Sequence, residues 1–582
     1  MSNERTIPSA APKSVSTFTL LSNGNEVSRA YQVLSIVVTK EINRIPSAQL
    51  TLLDGEASRQ TFNISNQPDF EPGAELEIQA GYRGTEETIF KGIVIRHSIK
   101  VRKNTSVLVI EAKDKAVKMT THVKSNYFKE MADSDLMEEL LQAHGLDSEV
   151  ETTTITHREI VQFRCSDWDL MLCRADVNGF LCAVNDGKVT LGKPDLGQAS
   201  ALTIQYGATV KDLDAEIDAR SQFSGVKATA WNSADQGLVE GVEADDPQVP
   251  SAGNIDADTL AEVTGREPYE LSHGGRIAEN ELKLWADARL LKQRLAKIRG
   301  KVRIDGTAEV QPGQVITLNG VGERFQGDLF VSGVRHEIQK GSWETAVQFG
   351  LDPQWFAERF EVDAPPAGSM LPAVRGLQVG VVTALEGDPD GEERIMVRIP
   401  VIHASNEGTW CRISTLDAGT ERGTVFRPEI GDEVIVGFLN DDPRHGIVLG
   451  MCHSSAKTAP IPASDANDEK GYVSRSKIKL QFDDNKKEFL VETPGGNRLF
   501  FSDDEKTIKI ERQNGIKITL DPYGLKVASA MDFQVKAAAE FKAEGVNTSL
   551  KGSGQMKLEG GSGAEISSGG NTAVKGSLVQ IN

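Results

Sequence analysis

The last part of the chain carries an eight-residue repeat, which restricts the fold more than any other feature of the sequence. Between residues 549 and 576, four apolar residues are spaced eight apart, and each is followed two positions later by glycine or serine. A flexible linker has no reason to keep two residue types in phase, so the repeat indicates regular structure. The two sets are Leu550, Leu558, Ile566 and Val574, and Gly552, Gly560, Ser568 and Gly576.

A single chain cannot bury such a repeat. A lone ribbon of short strands has one apolar face, and each inward Leu or Ile left in water forfeits roughly 1.5 to 3 kcal/mol. Three chains wound about a common axis pair one another's strand edges and bring the apolar residues together on the axis. We therefore predict a trimeric β-prism whose trimer core is formed by Leu550, Leu558, Ile566 and Val574.

Composition favours a mainly β protein of several domains. A chain of 582 residues is too long for one hydrophobic core. Glycine is abundant, and Val, Ile and Thr recur in short alternating runs, as is typical of strands and turns. The formal net charge of -20 disfavours nucleic acid as a partner.

The N-terminus and the cysteines predict a cytoplasmic origin without disulfides. The stretch MSNERTIPSAAPKSVSTF has no apolar core of a signal peptide, and no run approaches the roughly 18 apolar residues of a membrane span. The five cysteines include no C-x-x-C pair, so we expect buried, reduced thiols and neither a zinc site nor another cofactor. They are Cys165, Cys173, Cys182, Cys411 and Cys452.

Two motifs resemble metal sites but are incomplete. His336 and Glu337 begin an H-E-x-x-H pattern, yet Lys340 stands where the second histidine is needed. Asp388 and Asp390 resemble the start of a calcium loop that lacks its later ligands, so a hairpin turn explains them better. We identify no catalytic constellation.

Two segments predict helices. In the first, Asp133 or Ser134 can cap a stripe that ends near Gly145. In the second, residues 279–301, a basic face surrounds one apolar seam, and this face is either solvated or a docking surface for an acidic partner. The expected apolar seam of this second helix is Leu284, Ala288, Leu291, Leu295 and Ile298.

The acidic stretch 245–275 is predicted to be a surface insertion.

Residues 374–452 carry a recognisable pattern. GLQVGVVTALEGDPDGEERIMVRIPVI, GTWCRISTLDAG and FRPEIGDEVIVGFLNDDPRHGIVLGMC resemble the OB-fold of the VgrG and phage-baseplate spike family. Residues 161–194, with the S-D-W and N-G signature, and residues 310–350 resemble the hub of the same family.

This resemblance implies a fold and its boundaries. The expected fold is mainly β, with a hub of two barrel-like β domains and a few helices, an OB-fold β-barrel, and a C-terminal trimeric β-prism, or triple-stranded β-helix. The expected segments are a flexible N-terminus (1–15), the hub (16–360, with an insertion around 240–280), a linker (361–373), the OB-fold (374–455), a linker (456–472) and the β-helical spike (473–582).

The resemblance also implies a function. Members of the family act as the structural central spike of a contractile injection system, which is a phage tail, a type VI secretion apparatus or a particle acting outside the cell. The spike connects the inner tube to a membrane-piercing tip and helps nucleate tube assembly. The implied partners are two further copies of the chain, the hexameric inner tube protein, baseplate proteins, a PAAR-type tip protein and cargo effectors, with the target membrane pierced mechanically.

The end of the chain is the expected platform for the tip protein. The residues predicted to form it are Leu578, Val579, Gln580, Ile581 and Asn582. Two alternatives remain: a spike-borne enzyme or effector acting on the cell wall, and a receptor-binding tail fibre.

Overall fold

The computed structural model describes residues 15–103, 105–239, 241–265 and 267–581. The predicted flexible N-terminus therefore lies outside the described residues except for Val15. The chain divides into two compact units. The first contains residues 1–374 and 440–443, and the second contains residues 375–439 and 444–582. Each unit is mainly β, as predicted.

The first unit contains 22 strands in its described part. They are β1 (Ser16–Ser22), β2 (Asn25–Glu26), β3 (Val33–Glu41), β4 (Ser47–Leu53), β5 (Glu75–Tyr82), β6 (Thr85–Val101), β7 (Ser106–Lys113), β8 (Val123–Ala132), β9 (Asp147–Val150), β10 (Thr156–Ser166), β11 (Leu181–Asn185), β12 (Lys188–Gly192), β13 (Leu202–Gln205), β14 (Asp212–Ile217), β15 (Val226–Asn232), β16 (Gly237–Leu238), β17 (Val242–Glu243), β18 (Tyr269–His273), β19 (Ile298–Asp305), β20 (Val315–Asn319), β21 (Gly327–Gln339) and β22 (Ser342–Phe349).

The α-helices of the described chain are short and belong to the first unit. They are α1 (Asp133–Ala143), α2 (Asp167–Val177), α3 (Ala257–Thr264), α4 (Glu279–Leu295) and α5 (Phe356–Arg359). The 3-10 turns are Pro68–Phe70, Lys115–Thr120, Ala219–Ser221, Pro366–Ser369 and Leu439–Asp441.

A 13-stranded sheet forms the frame of the first unit. Its main path runs β14-β19-β22-β21-β3-β4-β7-β6-β5-β1-β2, with β20 joined to β21 and β13 to β20. One hydrophobic core lies on the β3–β7 half, around Leu50, Ile78 and Phe90. A second lies on the β19–β22 half, around Val302 and Phe349. The two halves of the hub thus share one sheet, joined by the antiparallel β3–β21 pair.

Helices α1 and α2 pack on a core of their own, which includes Met137, Leu141 and Met171. The first helix begins at Asp133, and Gly145 takes the left-handed conformation beyond its end (φ 66°). The predicted cap at Asp133 or Ser134 is wrong, because the N-cap residue is Ala132, which makes no side-chain cap hydrogen bond, and the Asp133 carboxylate accepts from Arg174 instead. The second was not predicted, although its start is marked in the sequence. The Ser166 hydroxyl accepts from the Asp169 N–H, and the Asp169 carboxylate accepts from the Ser166 N–H, which is a capping box.

The prediction for α4 is correct in part. Of the expected seam, Ala288 and Leu295 are buried and Leu291 packs on the core that contains Leu295. Leu284 is only partly buried, and Ile298, although buried, belongs to β19. The helix is covered on more than one side, so the spacing missed a second stripe that packs on the β15, β17 and β18 layer, which consists of Leu282, Ala286 and Leu290.

The basic face of α4 is neither solvated nor free for an acidic partner. Arg294 is buried and donates to Asp246 (2.9 Å) and Asp258 (3.2 Å). Arg289 pairs with Glu358 at 3.1 Å. These carboxylates come from distant parts of the same chain, so the positive charge is neutralised internally.

The acidic insertion is also more ordered than predicted. Within it, α3 begins at Ala257 and is capped by Asp256, whose carboxylate accepts from the Thr259 N–H at 2.6 Å. Strand β18 pairs in parallel with β15, over Val226↔Tyr269 to Ala230↔His273. Arg294 fixes the insertion to α4, which explains why a polar, acidic stretch folds.

A buried charge network ties α1, α2 and β10 together. The Asp133 carboxylate accepts from Arg174 Nε (2.6 Å), from Asn178 Nδ2 (2.8 Å) and lies 3.1 Å from His157 Nε2. Burial alone would raise the pKa of Asp133, but the hydrogen bonds and charge of Arg174 outweigh it and lower the pKa.

The second unit contains 14 strands in its described part. They are β23 (Gln378–Ala384), β24 (Ile395–Arg398), β25 (Thr409–Ile413), β26 (Ala418–Gly419), β27 (Arg422–Gly423), β28 (Glu433–Phe438), β29 (Gly446–Met451), β30 (Glu469–Val473), β31 (Lys479–Asp483), β32 (Glu488–Glu492), β33 (Arg498–Ser502), β34 (Thr507–Glu511), β35 (Lys517–Asp521) and β36 (Gly524–Ala528).

The first strands of this unit form the predicted OB-fold barrel. The barrel closes in the order β23-β24-β25-β29-β28 around Val382, Val397 and Val434. From β30 to β36 the chain then forms a separate seven-stranded antiparallel sheet, in which each strand pairs with the next.

The Asp133 network yields a stability prediction. Replacing Asp133 with Ala leaves Arg174 buried without its main partner, so we expect a loss of about 3 to 5 kcal/mol in unfolding free energy. The exposed pair Asp214–Lys301 provides a matched control, since Asp214→Ala should cost less than about 1 kcal/mol. Urea unfolding followed by tryptophan fluorescence measures both. Equal losses for the two variants would contradict this role.

The lowered pKa of Asp133 sets the sign of its pH dependence. Its contribution is complete above the pKa of an unfolded Asp, about 3.9, and falls as pH drops through the lower folded value. Asp133→Asn should therefore cost most near neutral pH and less as the pH falls below about 4. Urea midpoints for both proteins across this range test it, and a difference that grows on acidification would refute it.

Candidate functional site: an uncovered apolar sheet face

The β30–β36 sheet separates its apolar side chains from its charged ones. Cross-strand partners point to the same face, and successive residues alternate between faces. The register therefore places two rows of six apolar side chains on one face. Row 1 is Leu480, Val491, Leu499, Ile510, Ile518 and Val527, and row 2 is Phe482, Phe489, Phe501, Ile508, Leu520 and Leu525.

This apolar face has no cover within the described residues. Eight of its twelve side chains are between 36% and 66% exposed, and the other four are partly buried by their neighbours. Tyr472 on β30 extends row 1 by one strand, because it pairs with Leu480. A continuous apolar surface of this length is rare on monomeric soluble proteins and marks an interaction site.

The opposite face is satisfied by the chain itself. Charges of alternating sign run across the strands, with Lys479–Glu492 at 3.5 Å and Lys517–Glu511 at 3.0 Å. Phe500 is buried on this face, where the Arg498 guanidinium lies 4.8 Å from the ring centre. The charged face therefore suits water, and the apolar face requires a partner.

Sequence reasoning assigned residues 473–582 to a β-helical spike but did not name the residues of rows 1 and 2. The alternation was visible, yet the sequence alone does not state which face will be covered. The four residues predicted as the trimer core lie farther along the chain, and all are exposed at about 70% in one copy. None is covered by the rest of the described chain.

The repeat itself has a structural counterpart. The chain bends at residues 553–554, 561–562, 569–570 and 577–578, which are eight residues apart. At Gly560 a Cβ atom would lie 2.1 Å from the carbonyl oxygen of Gly563, so this bend requires glycine. Further bends at 530–531, 538–539 and 546–547 extend the pattern upstream, where Phe533 and Phe541 are exposed apolar residues.

Between residues 529 and 581 the described chain forms no strand pairs of its own. The segment FQVKA, residues 533–537, alternates apolar and polar residues as a strand would, but it is not part of a sheet in the described chain. An extended segment counts as a strand only when a neighbour completes its hydrogen bonds, and the described chain supplies none here. Of the predicted platform, Leu578, Val579, Gln580 and Ile581 are exposed, and Asn582 lies outside the described residues.

The residues of the incomplete metal motifs are engaged elsewhere. His336 is buried in β21, with Nδ1 3.0 Å from Thr345 Oγ1, and burial lowers its pKa to about 3. Lys340 lies in the turn that follows. The Asp388 carboxylate accepts from the Arg394 guanidinium and from the N–H groups of Asp390 and Glu392, which lowers its pKa and fixes a hairpin turn, as predicted.

The cysteines are free, but not all are buried as predicted. Cys182 and Cys411 are buried, Cys165 and Cys173 are partly buried, and Cys452 is exposed at the end of the barrel. Burial raises the pKa of Cys173 to about 12. In the described ranges, no cluster of three or more His, Cys, Asp or Glu could hold a metal ion, and no helix has the length and apolarity to cross a membrane.

Comparison with known proteins places these features in a family. Residues 12–340, more than half of the chain, match the Alg8 N-terminal domain family. Residues 378–453 match the type VI secretion system/phage-baseplate injector OB domain.

Individual relatives match over shorter stretches. The type VI secretion system spike protein VgrG1b of Pseudomonas aeruginosa is 30% identical over 228 residues, which are 37% of this chain and 30% of that protein. The actin cross-linking toxin VgrG1 of Vibrio cholerae is 29% identical over 153 residues, 25% of this chain and 13% of the toxin. The matched segments thus span less than a third of either relative.

Among solved structures, the 43 kDa tail protein of prophage MuSo2 from Shewanella oneidensis is 13% identical. The match covers 58% of this chain and 98% of that protein, with a TM-score of 0.44. From its matched residues 12–340, the chain belongs to the Alg8 N-terminal domain family, and its OB domain and curated relatives are similar to VgrG and phage-baseplate proteins.

Proposed function

We propose that the chain is the structural central spike of a contractile injection system and that it works as a homotrimer. The observation that carries this proposal is the apolar face of the β30–β36 sheet. Two further copies of the same sheet would cover it, since three such faces can close about a common axis. Leu550, Leu558, Ile566 and Val574 would then continue the trimer core along the tail.

A closed three-chain prism suits mechanical work. Bending it requires breaking hydrogen bonds and opening an apolar interior at the same time, so it resists axial load. In this proposal, sheath contraction supplies the energy, and no bond is broken or made by this chain. The target membrane is pierced mechanically.

The remaining segments take their roles from this arrangement. We assign residues 16–360 to a hub that seats on the hexameric inner tube and helps nucleate its assembly, together with baseplate proteins. The stretches 361–373 and 456–472 act as linkers on either side of the OB domain, and residues 473–582 form the spike. The two halves of the hub in each of three copies provide six similar positions, which suits a hexameric ring.

The exposed end of the chain is our proposed seat for a PAAR-type tip protein, which can carry cargo effectors. It is formed by Leu578, Val579, Gln580 and Ile581, and by Asn582 beyond the described residues. Leu578, Val579 and Ile581 are exposed apolar side chains, which suit docking of a partner with an apolar surface.

A structural role is favoured over an enzymatic one by the state of the candidate chemical groups. His336 is neutral and hydrogen-bonded in a core, and Asp388 is held by Arg394 in a turn. Neither offers a reactive group to a substrate. A receptor-binding fibre would use its exposed surface for adhesion, whereas the two rows here require a partner with an equally long apolar face.

The trimer proposal predicts a face-specific effect of a charge. Ile510→Asp would bring three carboxylates into an apolar interior, where they are desolvated without partners. We expect the variant to run as a monomer in multi-angle light scattering, while the wild type runs as a trimer. Thr519→Asp is the matched control, because Thr519 lies one strand away on the charged face and its neighbours are Lys509 and Lys526. A trimeric Ile510→Asp protein, or a wild-type monomer, would refute the proposal.

The tail repeat predicts a second, weaker effect. Leu558→Asp should lower the melting temperature of the trimer, since burying one apolar side chain per copy contributes roughly 1.5 to 3 kcal/mol. Lys557→Asp, one position along, provides the control on the outward side. Differential scanning calorimetry measures both, and an unchanged melting profile for Leu558→Asp would mean that this residue faces outward.

A further inference from the structure

The OB barrel carries a second apolar surface, on the loop that connects β25 to β28. We call residues 414–430 the finger. Four large apolar side chains on it are more than half exposed: Leu416 (94%), Val425 (74%), Ile430 (64%) and Phe426 (56%). No role in the barrel explains them, because the barrel core is made by other residues.

The finger is held in one shape by its own bonds. Strands β26 and β27 pair across its middle, and Arg422 Nη1 donates to both carboxylate oxygens of Asp417 at 2.6 and 2.9 Å. The Thr415 hydroxyl donates to the Thr424 carbonyl at 2.8 Å. At Gly423 (φ 136°) a Cβ atom would lie 2.4 Å from the Asp417 carbonyl oxygen, so the close approach of the two strands depends on glycine.

The base of the finger is fixed to the β30–β36 sheet. The Phe426 ring meets the Tyr472 ring edge-on, with 5.0 Å between centres. Arg475, in the turn after β30, donates to Glu429 at 2.9 Å. Because Tyr472 extends row 1, the apolar face of the sheet continues without a break into the finger.

We infer that the finger is a contact between copies of this chain, in which the exposed apolar side chains that flank its β26–β27 hairpin, Leu416 and Val425, dock on a neighbouring copy at the barrel end of the β30–β36 sheet. Two observations select this occupant. The finger is continuous with the face that the trimer buries, and a loop already rigid in one copy loses little entropy on docking. The Arg422–Asp417 pair also neutralises the charge beside Leu416, so an apolar neighbour meets no unpaired ion there.

This inference rests on the proposed trimer but assigns it a contact outside the spike. It gives the OB domain a part in assembly: three fingers would close the upper end of the prism, where the first strand of each sheet would otherwise expose its apolar row. It also explains why residues so close to a well-packed barrel remain apolar in a chain with a net charge of -20.

Thiol accessibility tests the contact in the full-length chain. Leu416→Cys is made in a Cys452→Ser background, which removes the exposed native thiol. Since Leu416 is almost fully exposed in one copy, the change should not disturb folding. Alkylation by iodoacetamide is followed at the introduced cysteine by mass spectrometry of the digested protein, and a synthetic peptide of residues 412–430 with the same substitution gives the reference rate.

We expect the thiol introduced by Leu416→Cys to react at least tenfold more slowly in the trimer than in the peptide. The thiol of Val425→Cys in the same background should be protected as well, which gives a second, independent position. Light scattering on the same samples separates the outcomes. A trimer in which both thiols react at the peptide rate would overturn the finger contact and leave the trimer intact, whereas a monomer would overturn both.

Discussion

The second unit depends on one geometric constraint, which is that a five-residue strand offers only two or three side chains to each face. Seven such strands make a sheet that is long but narrow, about 17 Å across. A sheet of this width cannot fold over its own apolar rows, and the described chain places no helix or second sheet on them. The ion ladder on the other face is the complement of this arrangement, because it makes that face stable in water without help.

The first unit differs from this sheet, because its buried charged groups find their partners within the same chain. Asp133 is met by Arg174 and Asn178, and Arg294 is met by Asp246 and Asp258. Such pairs contribute little as attractions, but losing one partner leaves a buried charge, so they fix how the helices and the insertion pack. The packing of the first unit is therefore fixed by contacts within the unit, while the β30–β36 sheet has an apolar face that the described chain leaves uncovered.

Sequence reasoning succeeded where the signal is local. Short alternating runs predicted a mainly β chain, the stripe before Gly145 predicted α1 although neither Asp133 nor Ser134 caps it, and the eight-residue spacing is matched by bends eight residues apart. It failed where the answer depends on distant residues. The basic face of α4 gives the same pattern whether it is solvated or paired with Asp246, and Leu416 looks like any core leucine until the barrel around it is seen to be complete. The inward rows of the sheet were missed for the same reason.

The two parts of the spike differ in what they need from other copies. From Glu469 to Ala528, each strand pairs with the next across a tight turn, so the closing loops are short and one chain can form the whole ladder. From residue 529 onward the described chain forms no such pairs, and every strand hydrogen bond of the proposed prism must come from a neighbour. A sheet that exists before association presents its two apolar rows as a ready-made surface. In the proposed trimer, association of three sheets would hold the tails side by side, and their high local concentration would favour the contacts that a single tail cannot make.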